Sequence, residues 1–418
     1  MSVSYGFLST YPPTQCGLAT FSQALLEHLV ADGGAGGVVR VMGESDSPGG
    51  VDVVGHLVPG SRLSMLSAAA ELNRFDVVVV QHEYGIYAGP DGESVLDVLA
   101  RVHVPTIAVL HTVLSAPTPH QREVLERVAD AAETVVVMSD TAASLLVHTY
   151  SVDASKIEVI AHGAHMPAPP LRIADTLDAF SSSGEPEALE SFDRFSAGAY
   201  RPPAPVAATP RGPMILSWGL LGPGKGLEWV IDALAQMRDL TPAPTYVIAG
   251  QTHPKVLERD GEAYRTSLTA RAADRGVASM VRFEPEYRDA QSLLRLIHAA
   301  DVVVMPYDSC EQVTSGVLIE AVAAARPVVA TRFPHARDLL AGGCGLLVEQ
   351  RDAAGIARAL RRVLTEPGLA AQLSAASARL APTLAWSAVA GRYQQVAVSL
   401  LAAREAAVPV GSGVRAAA

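Results

Sequence analysis

The chain is poor in several features that would define a fold or function class on their own. It has three cysteines in 418 residues, 5% aromatic residues and 18% charged residues. Cys16, Cys310 and Cys344 are widely spaced and odd in number, unlike the cysteines of a disulfide scaffold or a zinc site. No run of about 18 uncharged apolar residues is present to span a membrane. These absences favour a globular protein with reduced thiols.

Positive charge is also scarce. There are 32 Lys and Arg against 43 Asp and Glu, a formal net charge of −11. This balance disfavours nucleic acid as the main partner and a broad basic membrane-binding surface. The stretch MSVSYGFLST lacks the basic start and long apolar core of a signal peptide. We therefore expect a cytoplasmic protein without a transmembrane segment, and peripheral membrane contact and oligomer formation stay open.

What the sequence does contain is a repeated alternation of strand-like and helix-like segments. The strand-like segments are Val3–Leu8, Val38–Met42, Asp76–Gln81, Thr106–His111, Thr134–Met138 and Ile157–Ala161, then Met214–Trp218, Thr245–Gly250, Met280–Phe283, Asp301–Met305, Val328–Thr331 and Gly345–Val348. Alternating strands and helices are typical of doubly wound parallel sheets. Because 418 residues exceed one ordinary core, we predict an α/β fold with two Rossmann-like domains, 1–205 and 206–385, and a C-terminal helix with a mobile tail, 386–418.

The segment from Pro167 to Pro213 separates the two series of strands and is rich in Pro, Ala and Ser. Such composition is typical of a linker or a surface insertion. The segment is longer than a domain connection requires. A poorly packed surface excursion and a lid or oligomer contact are both open interpretations.

A polar loop between a strand and a helix is the most informative stretch. Residues 301–306 are strand-like, residues 308–316 are polar, and a helical pattern containing Glu320 follows. In such a unit the loop and the first helical amides lie at the carboxyl edge of the sheet, where free N–H groups and the positive helix end favour a phosphate. Thr314, Ser315 and Gly316 are short enough to let an anion approach. Glu320 is placed to accept hydrogen bonds from sugar hydroxyls, or to serve as a capping or ion-paired residue.

This segment resembles the donor-sugar signature of the retaining GT-B glycosyltransferases (glycosyltransferase family 4, "glycosyl transferase group 1"), in which two Glu residues are separated by seven others. Glu320 matches the second Glu, and Gln312 stands at the first position. The resemblance implies that Gln312 binds the donor hexose and Glu320 the nucleotide ribose. It also implies a donor-binding loop of Val313, Thr314, Ser315, Gly316 and Val317. Gln still holds a hydroxyl but adds no negative charge.

The glycine-rich turn SWGLLGPGKG has neither the Walker nor the dinucleotide spacing. It resembles the family's phosphate-binding turn, in which Gly222 and Gly224 approach the donor and Lys225 binds the diphosphate. The family's Arg position is Leu220, a departure that removes a side chain able to hold phosphate with two hydrogen bonds. Either another cation, such as Arg332 or Lys255, replaces it, or the enzyme uses a donor with less phosphate charge.

Loops at the strand ends of the first half also resemble the family. Gly17, in the loop STYPPTQCGLATF, would approach the donor, and Cys16 would lie on the acceptor side unless it is only a small buried thiol. His111 matches the family's active-site histidine. The residues expected at the acceptor are Gln81, His82, Glu83 and Tyr84. His82 and Glu83 are of metal-ligating type but have no further ligands at metal-site spacing, which favours acceptor binding.

Two further loops extend the predicted donor site. Gln251 and His253, in the loop AGQTHPKV, would contact donor phosphate or sugar, and Glu284 would lie near the nucleotide base. The amino-acid sequences of these loops are similar to those of a mannosyltransferase-like branch of the family. In this family the last helix crosses back to the first domain, and we expect the same here.

The resemblance implies a retaining, metal-independent hexosyltransferase of carbohydrate biosynthesis, with catalysis by His111, Lys225 and Gln312. It implies no cofactor besides the donor, with GDP-mannose first, and a sugar or other hydroxyl acceptor. The alternatives are a UDP-hexose or sugar 1-phosphate donor, and a non-catalytic scaffold that binds a sugar nucleotide or a partner. An NAD-linked enzyme is disfavoured because neither half has the glycine fingerprint with a downstream acidic residue.

Overall fold

The computed structural model describes residues 2–43, 49–166 and 212–407. Thirteen strands in these ranges form two separate, all-parallel sheets. The predicted insertion lies outside the described residues apart from Gly212 and Pro213, and so does the predicted tail from residue 408 onward.

The first sheet has the strand order β3-β2-β1-β4-β5-β6-β7. Its strands are β1 (Ser4–Ser9), β2 (Ala35–Val41), β3 (Val53–Leu57), β4 (Val77–His82), β5 (Thr106–Leu110), β6 (Thr134–Val137) and β7 (Ile157–Val159), and its helices are α1 (Gly17–Leu29), α2 (Arg62–Leu72), α3 (Val95–Leu99), α4 (Pro119–Ala131) and α5 (Asp140–His148). All six residues of β4 are buried, as expected for a strand covered by helices on both faces.

The second sheet has the order β10-β9-β8-β11-β12-β13. Its strands are β8 (Met214–Trp218), β9 (Thr245–Ala249), β10 (Val281–Glu284), β11 (Val302–Met305), β12 (Val328–Thr331) and β13 (Gly345–Val348), and its helices are α6 (Leu227–Leu234), α7 (Pro254–Asp260), α8 (Ala263–Asp274), α9 (Ala290–Ala299), α10 (Gly316–Ala323), α11 (Pro334–Leu340), α12 (Ala353–Thr365) and α13 (Leu369–Leu384). In each sheet the strand order reverses beside the first strand of that sheet, which opens a crevice at the carboxyl edge.

The α/β prediction with two Rossmann-like units is confirmed by these sheets. Each of the twelve predicted strands has a counterpart, with ends displaced by a few residues. The sequence interpretation missed β3, whose residues are mostly half-buried or exposed and which pairs only with β2. A short edge strand lacks the long buried run that makes a central parallel strand recognisable.

The final helix, α14 (Trp386–Ala407), packs on α1 of the first sheet. Trp386 is buried and contacts Phe21 edge-on, with ring centroids 5.1 Å apart. A side chain at Gly163 would overlap the Trp386 ring, so glycine is required there. None of the described helices is both long and apolar enough to cross a membrane.

Candidate active site

The first turn of α10 presents unpartnered backbone donors. The Ser315 hydroxyl caps the helix by accepting from the Leu318 N–H, and the Ser315 N–H donates to His335 Nδ1 at 2.8 Å. The N–H groups of Gly316 and Val317 have no hydrogen-bond partner among the described residues. Free amides at the positive end of a helix favour an anion.

Glu320 lies one turn into the same helix and points toward the end of β8. Its carboxylate accepts a hydrogen bond from the Trp218 indole N–H at 3.0 Å. Burial raises the pKa of Glu320 to about 7, and the bond from Trp218 only partly opposes this shift. A carboxyl group held in this way has capacity left to accept bonds from ligand hydroxyls.

Lys225 belongs to the glycine-rich turn and shares a cavity with Val317 of α10. Its ammonium group is 4.4 Å from the centre of the Tyr307 ring, a cation–π contact. Leu220, Lys225 and Val317 line one small cavity at the end of β8. The turn depends on Gly226, which has a φ of 66° and lies so close to the Pro306 carbonyl oxygen that a Cβ would overlap it.

His111 follows β5, at the carboxyl edge of the first sheet. Its Nε2 is 2.6 Å from Gln81 Oε1, and its ring meets Phe21 edge-on at 4.9 Å. Burial, with the neighbouring His162 and His82, lowers the pKa of His111 to about 3. His111 is therefore a neutral imidazole near pH 7, suited to hydrogen bonding rather than to carrying charge.

Two more histidines reach the first turn of α10. His162, three residues beyond the end of β7, lies over Gly316: a Cβ added to Gly316 would be 3.0 Å from His162 Nε2. His335, in α11, accepts from Ser315 as described above. Burial lowers the pKa of each to about 4. The sequence interpretation missed both, although His162 follows a strand of the first sheet, the same signal that identified His111.

Hydrogen bonds join loops and helices at the carboxyl edges of the two sheets. Glu311 accepts from the backbone N–H and the hydroxyl of Ser115, and Asp338 accepts from the same two groups of Thr141. Gln251 donates to the Gln15 side chain at 2.7 Å. The carboxyl edges of the two sheets therefore face each other and form one cleft.

The structure is similar to solved structures along almost its whole length. A glycosyltransferase from Rickettsia africae superposes with a TM-score of 0.69 at 14% identity, covering 96% of this chain and 99% of that one. The Anabaena protein HepE in complex with UDP superposes with a TM-score of 0.68 at 16% identity, covering 96% and 100%.

Sequence comparison agrees with the structural comparison. A D-inositol 3-phosphate glycosyltransferase of Jonesia denitrificans is 29% identical over 76% of this chain and 70% of that protein. A glycogen synthase of Mycobacterium tuberculosis is 32% identical over 46% and 44%. Residues 17–166 match the family model Glycosyltransferase Family 4, and residues 212–366 match the model Glycosyl transferases group 1. The chain belongs to the GT-B glycosyltransferases.

In this glycosyltransferase the predicted donor loop is held by a hydrogen bond within the loop and by buried side chains. The Gln312 side-chain amide donates to the Thr314 carbonyl at 3.1 Å, which leaves the Gln312 side-chain oxygen available. The Thr314 hydroxyl is buried without a partner among the described residues, and Val313 packs into the core of the first sheet. Gly222 is buried and Gly224 is exposed.

Three other predicted donor residues already have hydrogen-bond or ion-pair partners within the protein. His253 accepts from the Lys255 N–H at the start of α7, and Gln251 is committed to Gln15. Glu284 pairs with Arg282 and Arg288, so its carboxylate is already neutralised. Gly17 opens α1 with free space around its Cα.

The predicted acceptor residues divide into two groups. Gln81 and His82 are fully buried, so neither presents a side chain to the cleft; Gln81 lies behind His111 instead. Glu83 accepts from the Thr112 hydroxyl, and burial raises the pKa of its carboxyl group. Tyr84 donates to the Gln121 carbonyl at 3.3 Å.

Cys16, Arg332 and Lys255 each have contacts of their own. The thiol of Cys16 is 3.3 Å from the Thr10 hydroxyl, at the start of α1. The two cations predicted to replace the Arg missing at Leu220 have other contacts. Arg332 pairs with Glu349 on the surface, and Lys255 Nζ lies 3.5 Å from the Gly85 carbonyl oxygen.

Across the described ranges, no group of three or more His, Cys, Asp and Glu side chains could hold a metal ion.

Proposed function

We propose that this protein is a retaining, metal-independent hexosyltransferase that uses a nucleotide-sugar donor and a hydroxyl acceptor. The observation that carries the proposal is the first turn of α10, where the free N–H groups of Gly316 and Val317 lie near Lys225, with Glu320 one turn further on. Amides and a cation suit the donor diphosphate, and the carboxyl group suits the ribose. No further cofactor is required by this chemistry.

In the proposed reaction the bond between the sugar C1 and the diphosphate oxygen breaks as the acceptor oxygen bonds to C1 on the same face. The acceptor proton passes to the leaving diphosphate. Lys225 and the α10 amides stabilise the negative charge that develops on the leaving group, which is where preorganised donors contribute most. Neutral His111 and the side-chain oxygen of Gln312 hold hydroxyls of the hexose.

Two donors are worth comparing first. GDP-mannose is a candidate because the loop sequences resemble those of mannosyltransferases. UDP-glucose follows from structural neighbours, since HepE is described with UDP-glucose and a Burkholderia vietnamiensis neighbour is a UDP-forming trehalose-phosphate synthase. The D-inositol 3-phosphate glycosyltransferases among the relatives favour a sugar or cyclitol hydroxyl as the acceptor.

A thermal-shift panel of GDP-mannose, UDP-glucose, mannose 1-phosphate and the free nucleoside diphosphates tests the donor site, because a ligand that binds only the native state raises Tm. We expect one nucleotide family to raise Tm in the wild type but not in Glu320→Ala. Glu366→Ala, which removes an exposed carboxylate paired with Arg362 on α12, is the matched control and should respond like the wild type. No shift with any nucleotide sugar would overturn the proposal.

A further inference from the structure

His162 is fixed in place at the junction of the two sheets. Its Nδ1 lies 2.6 Å from the Gly163 carbonyl oxygen. Its ring packs edge-on against Phe21 at 5.0 Å and lies 5.5 Å from the Trp386 ring. The imidazole therefore has one orientation, with Nε2 directed at Gly316.

The hydrogen bond to Gly163 determines which ring nitrogen carries the proton. A carbonyl oxygen only accepts, so Nδ1 is the protonated nitrogen and Nε2 of the neutral ring carries a lone pair. Nε2 has no hydrogen-bond partner among the described residues. A lone pair beside the free amides of α10 would repel an anion bound there, whereas an N–H at Nε2 would donate to it.

Among the described residues, no carboxylate is paired with His162 that would stabilise an imidazolium in the free protein. The titratable groups around it are other histidines: His165 in its own segment, His111 after β5 and His335 in α11. Helices α1 and α14 contribute the rings of Phe21 and Trp386. With its pKa lowered to about 4, chiefly by burial, the free protein holds His162 neutral near pH 7.

His162 and Leu220, which stands where the family has Arg, both lie close to the first turn of α10. Leu220 lines a cavity with Val317, the second residue of α10, and His162 lies over Gly316, the first. Both side chains therefore approach the amides that would hold a diphosphate.

We propose that His162 is a further donor-binding residue, which takes up one proton when a nucleotide sugar binds and supplies to the diphosphate the cation that Leu220 lacks. The inference rests on the proposed function, since it needs the donor diphosphate at α10. Binding then becomes coupled to pH: donor affinity rises as pH falls, by at most about tenfold per pH unit.

Calorimetric titration with the nucleotide sugar that raises Tm in the donor panel tests this coupling, in buffers of different ionisation enthalpy at pH 7. Nucleotide sugars suit the test because their diphosphate diester does not titrate near neutral pH. We expect wild-type protein to take up close to one proton per donor bound. His162→Gln should bind roughly tenfold to a hundredfold more weakly, the loss of one charge-assisted hydrogen bond. It should also take up close to one proton fewer than the wild type, a difference in which any proton exchange by Glu320 cancels.

Two further variants make the result specific. His165→Gln changes an exposed histidine three residues away and should keep the wild-type proton uptake. Leu220→Arg, combined with His162→Gln, should restore affinity without proton uptake, because it returns a permanent cation to the site. His162→Asn is the second variant if His162→Gln does not fold.

The outcomes separate this inference from the proposed function. Donor binding by the wild type without proton uptake, or unchanged uptake in His162→Gln, overturns the role of His162 and leaves the proposed function standing. Failure of the wild type to bind any nucleotide sugar overturns the proposed function, and the role of His162 with it.

Discussion

The Glu311 carboxylate accepts two hydrogen bonds from Ser115, one from its backbone N–H at 2.7 Å and one from its hydroxyl at 2.5 Å. The two residues are 196 positions apart and belong to loops of different sheets. Ser115 lies in the loop that begins with His111, and Glu311 precedes Gln312. The pair therefore fixes the distance between the two loops proposed to hold the hexose.

Glu311→Ala should lower kcat by roughly 5- to 30-fold, corresponding to the loss of about 1–2 kcal/mol of charge-assisted hydrogen bonding between the loops. Donor Kd, measured by calorimetry, should change little because Glu311 does not line the proposed diphosphate site. Ser115→Ala removes one of the two bonds, so the double variant should be less impaired than the product of the single effects. Wild-type kcat in Glu311→Ala would exclude a positioning role.

Lys225→Met should lower kcat/KM by roughly 100- to 1000-fold, because it removes the cation proposed to stabilise the leaving diphosphate. The Tm should fall only slightly, since the cation–π contact with Tyr307 contributes about 1 kcal/mol or less at a partly exposed site. Lys225→Arg, which keeps the charge, should retain more activity than Lys225→Met. Full activity in Lys225→Met would remove this residue from the mechanism.

Glu320 should make the stability of the protein depend on pH. Its pKa is raised to about 7 in the folded state, above the unfolded value of 4.5. Between these values the unfolded chain binds fewer protons, so the free energy of unfolding falls as pH rises from about 4.5 to 7. Glu320→Gln cannot titrate and should lose this part of the pH dependence. Parallel denaturant titrations of both proteins at pH 5 and 8 measure the difference.

Gly226 and Gly224 offer a matched pair in one turn, since both have positive φ, 66° and 87°. A Cβ at Gly224 meets open space, whereas one at Gly226 overlaps the Pro306 carbonyl oxygen. Gly224→Ala should therefore cost about 1 kcal/mol of stability from backbone strain alone. Gly226→Ala should cost several times more, because β11 and the turn must move apart. Equal free energies of unfolding, measured with urea, would contradict the close approach.

The sequence signals that point to a donor site are local, and the donor role of these residues stays a prediction. The polar loop before α10 and the glycines before α6 are each contiguous, and the structure brings Leu220, Lys225 and Val317 to one cavity. The acceptor side was less predictable. Gln81 and His82 follow the same strand-end rule as His111, yet they are fully buried, because β5 and the 84–94 loop cover the end of β4.

The strand and helix pattern, the two sheets and the loops at their carboxyl edges follow from the sequence, because they depend on local periodicity and on glycine and proline positions. Which side chains meet across the cleft depends instead on how the two sheets pack. His162 and Gly316, or Ser115 and Glu311, are separated by more than 150 residues, and no periodic signal links them. Their proximity results from how two independently patterned sheets pack, a property of the whole fold.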